Sequence, residues 1–358
     1  MLQKVKKITV AIIAPFPPPY GGMAVQAEKL YKRIKESGIQ SFYVKTNLPF
    51  PQYLSFFEKI KGIRTFIRFI LFFLKILEIR KATIVHIFGA SNVYFFLVVC
   101  PSLLMAKIMR KKVVLNYRGG EAEKFLNKWG FLAIPFLKRA DVIAVPSNFL
   151  KEVFERFVER EVLILPNIAD IELFKYRERS TLRAYIIVSR QLERYYNIDC
   201  ALEAFKVIKE AYPGARLKIA GKGSQENRLK RLSEEMALKD VDFLGALSHD
   251  KLSRVYDECD IMINPSKVDN FPGSILEAFA CGLPVVSTRV GGIPFMVKEG
   301  ENGILVDPDD PMGLANGVIK LLENPDLAIR LSRNGRGVAE RHAWENVREI
   351  LFKFYGTT

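Results

Sequence analysis

Four cysteines and three histidines are all that 358 residues offer as thiol or imidazole ligands. Cys100, Cys200, Cys259 and Cys281 are widely spaced with no C-x-x-C pair. That argues against a disulfide framework or a zinc site and for a reducing, cytoplasmic compartment. His86, His249 and His342 are too few for a metal centre, so no metal is expected. Long apolar runs are missing as well. The densest, TFIRFILFFLKIL from Thr65, is broken by Arg68 and Lys75, and Val93–Met109 is broken by Pro101 and Lys107. Both fall short of the roughly 18 to 20 apolar residues that a membrane-crossing helix needs. At the N-terminus lysines precede an apolar run, but the run is short and PFPPPYGG follows it. This reads as a first strand rather than a signal peptide.

Negative charge is scarce at one end. Residues 1–112 hold nineteen Lys and Arg against four Glu, so the whole net +15 lies there and the rest of the chain is neutral. Lys61, Arg64, Arg68 and Lys75 follow helical spacing and share one stripe. With the surrounding Phe, Ile and Leu, this fits a helix lying in an anionic membrane surface. The plainer reading is the solvated face of a core helix. Nucleic acid is not an expected partner, because no aromatic-basic interleaving, zinc spacing or recognition-helix pattern accompanies the charge.

Short apolar runs alternate with helical segments in two successive sets. The first is Ile8–Pro15, Ser41–Lys45, Thr83–Phe88, Lys112–Asn116, Asp141–Val145 and Val162–Leu165. The second is Tyr185–Ser189, Arg216–Ala220, Val241–Leu244, Asp260–Asn264, Pro284–Ser287 and Gly303–Val306. Strands alternating with helices imply parallel sheets covered on both faces, hence an α/β chain of two doubly wound, Rossmann-like domains. Polar PNIADIELFKYRERST between the sets puts the boundary near residue 178, giving domains 1–178 and 179–339. Ligands of such sheets bind beyond the C-terminal ends of the strands.

The stretch PSKVDNFPGSILEAFACGLPVVSTRVGGIP, Pro265–Pro294, has the character of a site. Asp269 and Glu277 flank the turn Phe271-Pro272-Gly273 and the start of a short apolar helix through Ser274 and Ile275. A helix start presents unpaired N–H groups and a positive dipole end to phosphate. An ionised Glu beside it accepts hydrogen bonds from a ribose diol. The competing reading is a capping box, Ser274-x-x-Glu277. Over its full length the stretch resembles the signature of family 4 retaining glycosyltransferases, in which two acids hold the donor nucleotide sugar. Asp269 stands where that family has Glu, and Pro272 where it usually has Gly.

The resemblance implies further assignments and a GT-B architecture, two Rossmann-like domains facing a cleft, with a C-terminal helix, 340–358, packing back on the first domain. By it, Glu277 grips the ribose and Asp269 lies near the transferred sugar. Gly21 and Gly22, a glycine pair opening a helix, face the donor diphosphate. Arg190 neutralises that diphosphate, with Arg194 as a substitute for a lysine whose place is taken by Tyr195 or Tyr196. Gly221, Gly223, Gly273, Ser274 and Ile275 complete the donor side. Arg118, where a histidine is frequent, is expected to hold an acceptor group by its planar fork. His86 is a catalytic candidate, with a satisfied core histidine as the alternative. Asp307, Asp309 and Asp310 read as loop and helix cap.

Together these imply a metal-independent, retaining glycosyltransferase that takes a hexose-type sugar from a UDP- or GDP-sugar to a lipid-linked or cell-surface polysaccharide precursor, peripherally attached to the inner face of the membrane. The alternatives are a nucleotide-sugar epimerase of the same fold and a non-catalytic saccharide-binding member.

Overall fold

The computed structural model describes residues 8–18, 21–50, 56 and 60–356, the side chain of Lys61 excepted. Pro19 and Tyr20 of the glycine loop, and the last two residues of the expected C-terminal helix, lie outside that set.

Every apolar run read as a strand is one, with ends displaced by no more than one residue. β1 (Thr9–Ala14), β2 (Gln40–Lys45), β3 (Ile84–Gly89), β4 (Lys112–Tyr117), β5 (Val142–Val145) and β6 (Leu163–Ile164) form a parallel sheet in the order β2-β1-β3-β4-β5-β6. β7 (Tyr185–Ser189), β8 (Arg216–Ala220), β9 (Val241–Gly245), β10 (Ile261–Asn264), β11 (Val285–Thr288) and β12 (Ile304–Val306) form a second, in the order β12-β11-β10-β7-β8-β9. Central strands such as β3, β10 and β11 are buried at every position. That explains their continuous apolar runs, since helices cover both faces of a parallel sheet.

The chain divides into two compact units. The first comprises residues up to Pro166 together with those from Arg348 onward, and the second is Asn167–Val347. The second unit therefore begins upstream of residue 178. The polar stretch between the two sets of strands is anchored there by its own side chains. Asn167 Nδ2 donates to Phe271 O at 2.8 Å, and the fully buried Phe174 ring meets Tyr256 edge-on at 5.6 Å. The expected helix from 340 starts later, at Trp344, because residues 340 and 341 end the helix before it. Pro325–Arg341 stops at His342, whose carbonyl accepts from Ala169 N at 2.9 Å, and Trp344–Tyr355 follows.

Arginines fasten the same stretch to the end of the helix before β10. Asp260, 1% exposed, accepts from Arg183 N at 2.9 Å and Arg183 Nε at 2.7 Å, and it faces the buried Arg179 at 3.3 Å. Arg179 also donates to the carbonyls of Cys259, Tyr256 and Cys281. Burial by itself would raise the Asp260 carboxyl, but the hydrogen bonds and charge of Arg183, with the charge of Arg179, leave it below its ordinary value. A carboxyl lowered by folding stabilises the fold above its unfolded pKa and loses that contribution as pH falls through the folded one. Asp260→Asn is expected to cost about 3 to 5 kcal/mol at neutral pH, the range for breaking a buried pair. Its loss relative to the parent should shrink below about pH 4. Urea unfolding at several pH values measures both.

Candidate functional site

The C-terminal ends of β7, β8 and β10 carry the second unit's candidates, and the loops that follow touch through backbone. Gly221, at φ +152°, lies under the Arg190 carbonyl, where an added Cβ would stand 1.8 Å from that oxygen. Arg190 N donates to Ala220 O and Leu192 N to Lys222 O, both at 3.0 Å. Gly223 likewise lies against Leu192, where an added Cβ would stand 2.3 Å from the carbonyl oxygen. These two glycines thus have a structural reason that needs no ligand: they bring the β8 loop against the loop that carries Arg190.

Gly291, at φ +51°, does the same for Asp269. A Cβ there would stand 2.1 Å from Asp269 O, and Gly292 N donates to that oxygen at 3.0 Å. The turn after β11 thereby fixes the acid-bearing loop after β10.

Between these supports, Arg190 and Asp269 are in direct contact. Arg190 Nη1 also donates to Ser274 Oγ at 3.2 Å, and its guanidinium lies over the Tyr196 ring at 4.1 Å. Burial pushes the Asp269 carboxyl above its ordinary value, against the opposing charge of Arg190 and the hydrogen bond from Asn270 N. Burial also raises the Tyr196 phenol, to about 12, so it is neutral and brings no charge. Its ring instead holds the arginine from one side, which contributes on the order of 0.5 to 2 kcal/mol depending on desolvation. Arg194 is exposed on the 3-10 turn Arg194–Tyr196, outside the group that joins Arg190, Asp269 and Ser274.

The helix Gly273–Cys281 starts at this group. Its N-cap is Pro272, with no side-chain cap, and Ser274 is a buried first-turn residue whose hydroxyl meets Arg190. The capping-box reading of Ser274 and Glu277 is therefore corrected. Ile275 is fully buried and positions the helix through the core. Glu277, 8% exposed, has His249 Nε2 at 3.6 Å from its Oε1. Tyr256 donates to Ser274 O at 3.0 Å. The sequence reading missed His249 and Tyr256. Nothing in their own segment marks them, since they lie in the first and last turns of an ordinary amphipathic helix, His249–Glu258. The aspartates after β12 are not gathered round one point. Asp310 caps Pro311–Glu323 through Gly313 N at 2.7 Å, Asp309 pairs with Lys267 at 2.5 Å and Asp307 with Arg289 at 3.3 Å.

In the first unit, Gly21 precedes the helix Gly22–Glu36 in extended conformation, and a Cβ on Gly22 would meet nothing within 4 Å among the described residues. His86 is a different case. It is 0% exposed on β3, with Nδ1 at 2.9 Å from Tyr355 Oη and Nε2 at 3.2 Å from Asn116 Nδ2. Burial, then Arg118, pulls its pKa down to about 3. It is neutral with both nitrogens engaged, so the catalytic candidacy of His86 gives way to the core reading. Arg118 follows β4, donates from its backbone N–H to Gly89 O at 2.8 Å and lies over Phe88 at 5.1 Å. Burial lowers its pKa to about 9, which keeps it charged at neutral pH.

Residues 171–338, the span that contains Arg190, Asp269 and Glu277, match the family described as Glycosyl transferases group 1. Over that span, which is most of the second unit, the chain carries this family's domain. The D-inositol 3-phosphate glycosyltransferase of Corynebacterium urealyticum is 31% identical over 241 residues, 60% of this chain and 56% of that one, so the chain spans a little over half of that relative's length. Among solved structures, sucrose-phosphate synthase from Thermosynechococcus elongatus superposes with a TM-score of 0.77 at 21% identity, covering 97% of this chain and 98% of that one. HepE of Anabaena, in complex with UDP-glucose, superposes with a TM-score of 0.74 at 16% identity, covering 98% and 100%. The fold of the chain is that of these structures, GT-B.

Two glycines, Gly291 and Gly22, differ in what an added side chain would meet. Gly291→Ala meets both the left-handed backbone and the Asp269 carbonyl, so a loss of about 1 to 3 kcal/mol is expected from overpacking and strain. Gly22→Ala should leave the melting temperature within a few degrees, because a helix start tolerates alanine. If Gly22 borders donor phosphate, nucleotide affinity falls in that variant while stability stays. Calorimetric melting with and without UDP or GDP reads both.

Proposed function

We propose that the chain is a retaining transferase that moves a hexose-type sugar from a UDP- or GDP-sugar to a lipid-linked or cell-surface polysaccharide precursor at the inner face of the membrane. The observation that carries the donor half is the meeting of Arg190, Ser274 and Asp269 at the start of the helix Gly273–Cys281, beyond the strand ends of a doubly wound sheet. A helix start and a fixed guanidinium are complementary to a diphosphate. The family match over residues 171–338 and the UDP-glucose held by HepE support the same donor class.

In this reading the protein's task is electrostatic. A retaining transfer passes through an oxocarbenium-like transition state as the diphosphate leaves, so charge stabilisation of the leaving group and placing of the acceptor hydroxyl dominate. Arg190 and the first-turn N–H groups take the diphosphate charge. A diphosphate that engages Arg190 competes with Asp269 for it, and the released carboxylate then accepts from hydroxyls of the sugar. Tyr196 keeps the guanidinium in place while its partner changes. Glu277 takes the ribose, and Arg118 an acceptor phosphate or hydroxyl.

Arg190→Ala should abolish most transfer and weaken the nucleoside diphosphate far more than the free nucleoside. Equal weakening of both would mean a damaged fold. Glu277→Gln removes charge and keeps shape, so donor affinity should fall by about 1.5 to 3 kcal/mol, the range for hydrogen bonds to charged groups. Titration calorimetry with UDP, GDP and their nucleosides provides the numbers. Isomerised donor formed with no acceptor consumed would replace transfer by epimerisation.

A further inference from the structure

The helix Lys61–Ile76 does not present its basic stripe as its outermost face. Phe72 and Ile76 are buried against the first unit's core, whereas Ile63, Phe66, Ile70, Phe73, Leu74 and the following Leu77 are exposed, Phe66 at 64% and Leu74 at 61%. Steps of three and four residues put these six on one face. Arg64, Arg68 and Lys75 are half-buried on the flank between the two faces, and Lys75 is paired with Glu78 at 2.5 Å. The basic stripe expected to dock is therefore a border, and the exposed surface it borders is apolar.

The next helices of the layer extend this surface. The crossovers β2 to β3, β3 to β4 and β4 to β5 all advance in one direction along the sheet, so their helices cover the same side. Cys100–Ile108 adds Ile108 at 73% exposed, and Ala122–Leu137 adds Phe131 at 72%. Exposed apolar side chains gathered in this way mark an interaction surface.

We propose that this helical layer docks on an anionic lipid bilayer, with the Ile63–Leu77 face set among the acyl chains and the basic flank at the headgroups. Charge decides between a bilayer and a second copy. Residues 61–112 hold ten Lys and Arg and a single acid, Glu78, so a two-fold dimer on this face would set like charges against each other. An anionic lipid surface is attracted by the same residues, and no helix among the described residues is long and apolar enough to cross the membrane. The proposal extends the reading of a lipid-linked acceptor, but the test below is independent of it because it uses vesicles without acceptor.

The test is flotation with vesicles of phosphatidylcholine and phosphatidylglycerol, and with phosphatidylcholine alone. The parent should bind the anionic vesicles more strongly, and part of that binding should survive high salt, since only the charged share is screened. Phe66→Ser with Leu74→Ser, both solvent-facing, should reduce binding by more than about tenfold, as expected for two large apolar groups withdrawn from lipid. Its melting temperature and its melting shift with UDP or GDP should match the parent's. Binding by this variant equal to the parent's would overturn the proposal. A parent that ignores vesicles but sediments as a dimer, while the variant is a monomer, would overturn it in favour of an interface between copies.

Discussion

Two places where a carbonyl lies against a glycine govern the second unit's site. Arg190 O over Gly221 and Asp269 O over Gly291 leave no room for a Cβ. They bring the loops after β7 and β8 together, and likewise those after β10 and β11. The consequence is electrostatic. Arg190 and Asp269 sit on different loops, and their contact exists because each loop is wedged from behind by a glycine turn. Site residues need such support, since an error of about 1 Å in placing a reacting group is costly in rate.

The ion pair so formed is a poor source of stability and a good source of response. Both partners are largely removed from water, and desolvation offsets much of the Coulomb attraction of such a pair. Asp260 and its arginines differ in this respect. That cluster donates to the backbone carbonyls of Tyr256, Cys259 and Cys281 and fastens the segment before β7. Arg190, by contrast, holds Asp269, Ser274 and the face of Tyr196 through different parts of one guanidinium. In the proposed reading, a diphosphate replaces one of these partners while the others stay.

In the first unit, burial separates residues that look alike in sequence. His86 follows apolar strand residues and precedes a polar loop, a place where a catalytic histidine would also stand. Tyr355, contributed from the far end of the chain, and Asn116 occupy its two nitrogens. The apolar run Val93–Met109 and the run from Thr65 are comparably hydrophobic. Phe95, Val98, Val99 and Leu103 of the former are core, while the latter leaves a whole face to solvent.

The sequence by itself determined the twelve strands of the two sheets, because burial on both sides of a parallel strand demands a short continuous apolar run that local reading detects. It also determined the acids and the helix start of Pro265–Pro294, since turn, glycine and carboxylate lie within one short segment. Only tertiary structure decided what each charged or aromatic group faces. That Ser274 meets Arg190 instead of capping its helix, that His249 stands by Glu277 and that the segment before residue 178 belongs to the second unit all rest on contacts between residues distant in the chain, and even the neighbouring Tyr196 meets Arg190 only through the turn between them. Periodicity reports which face of an element is apolar, but whether that face meets a sheet or solvent depends on where neighbouring elements end, and the helix Lys61–Ile76 has one apolar face of each kind.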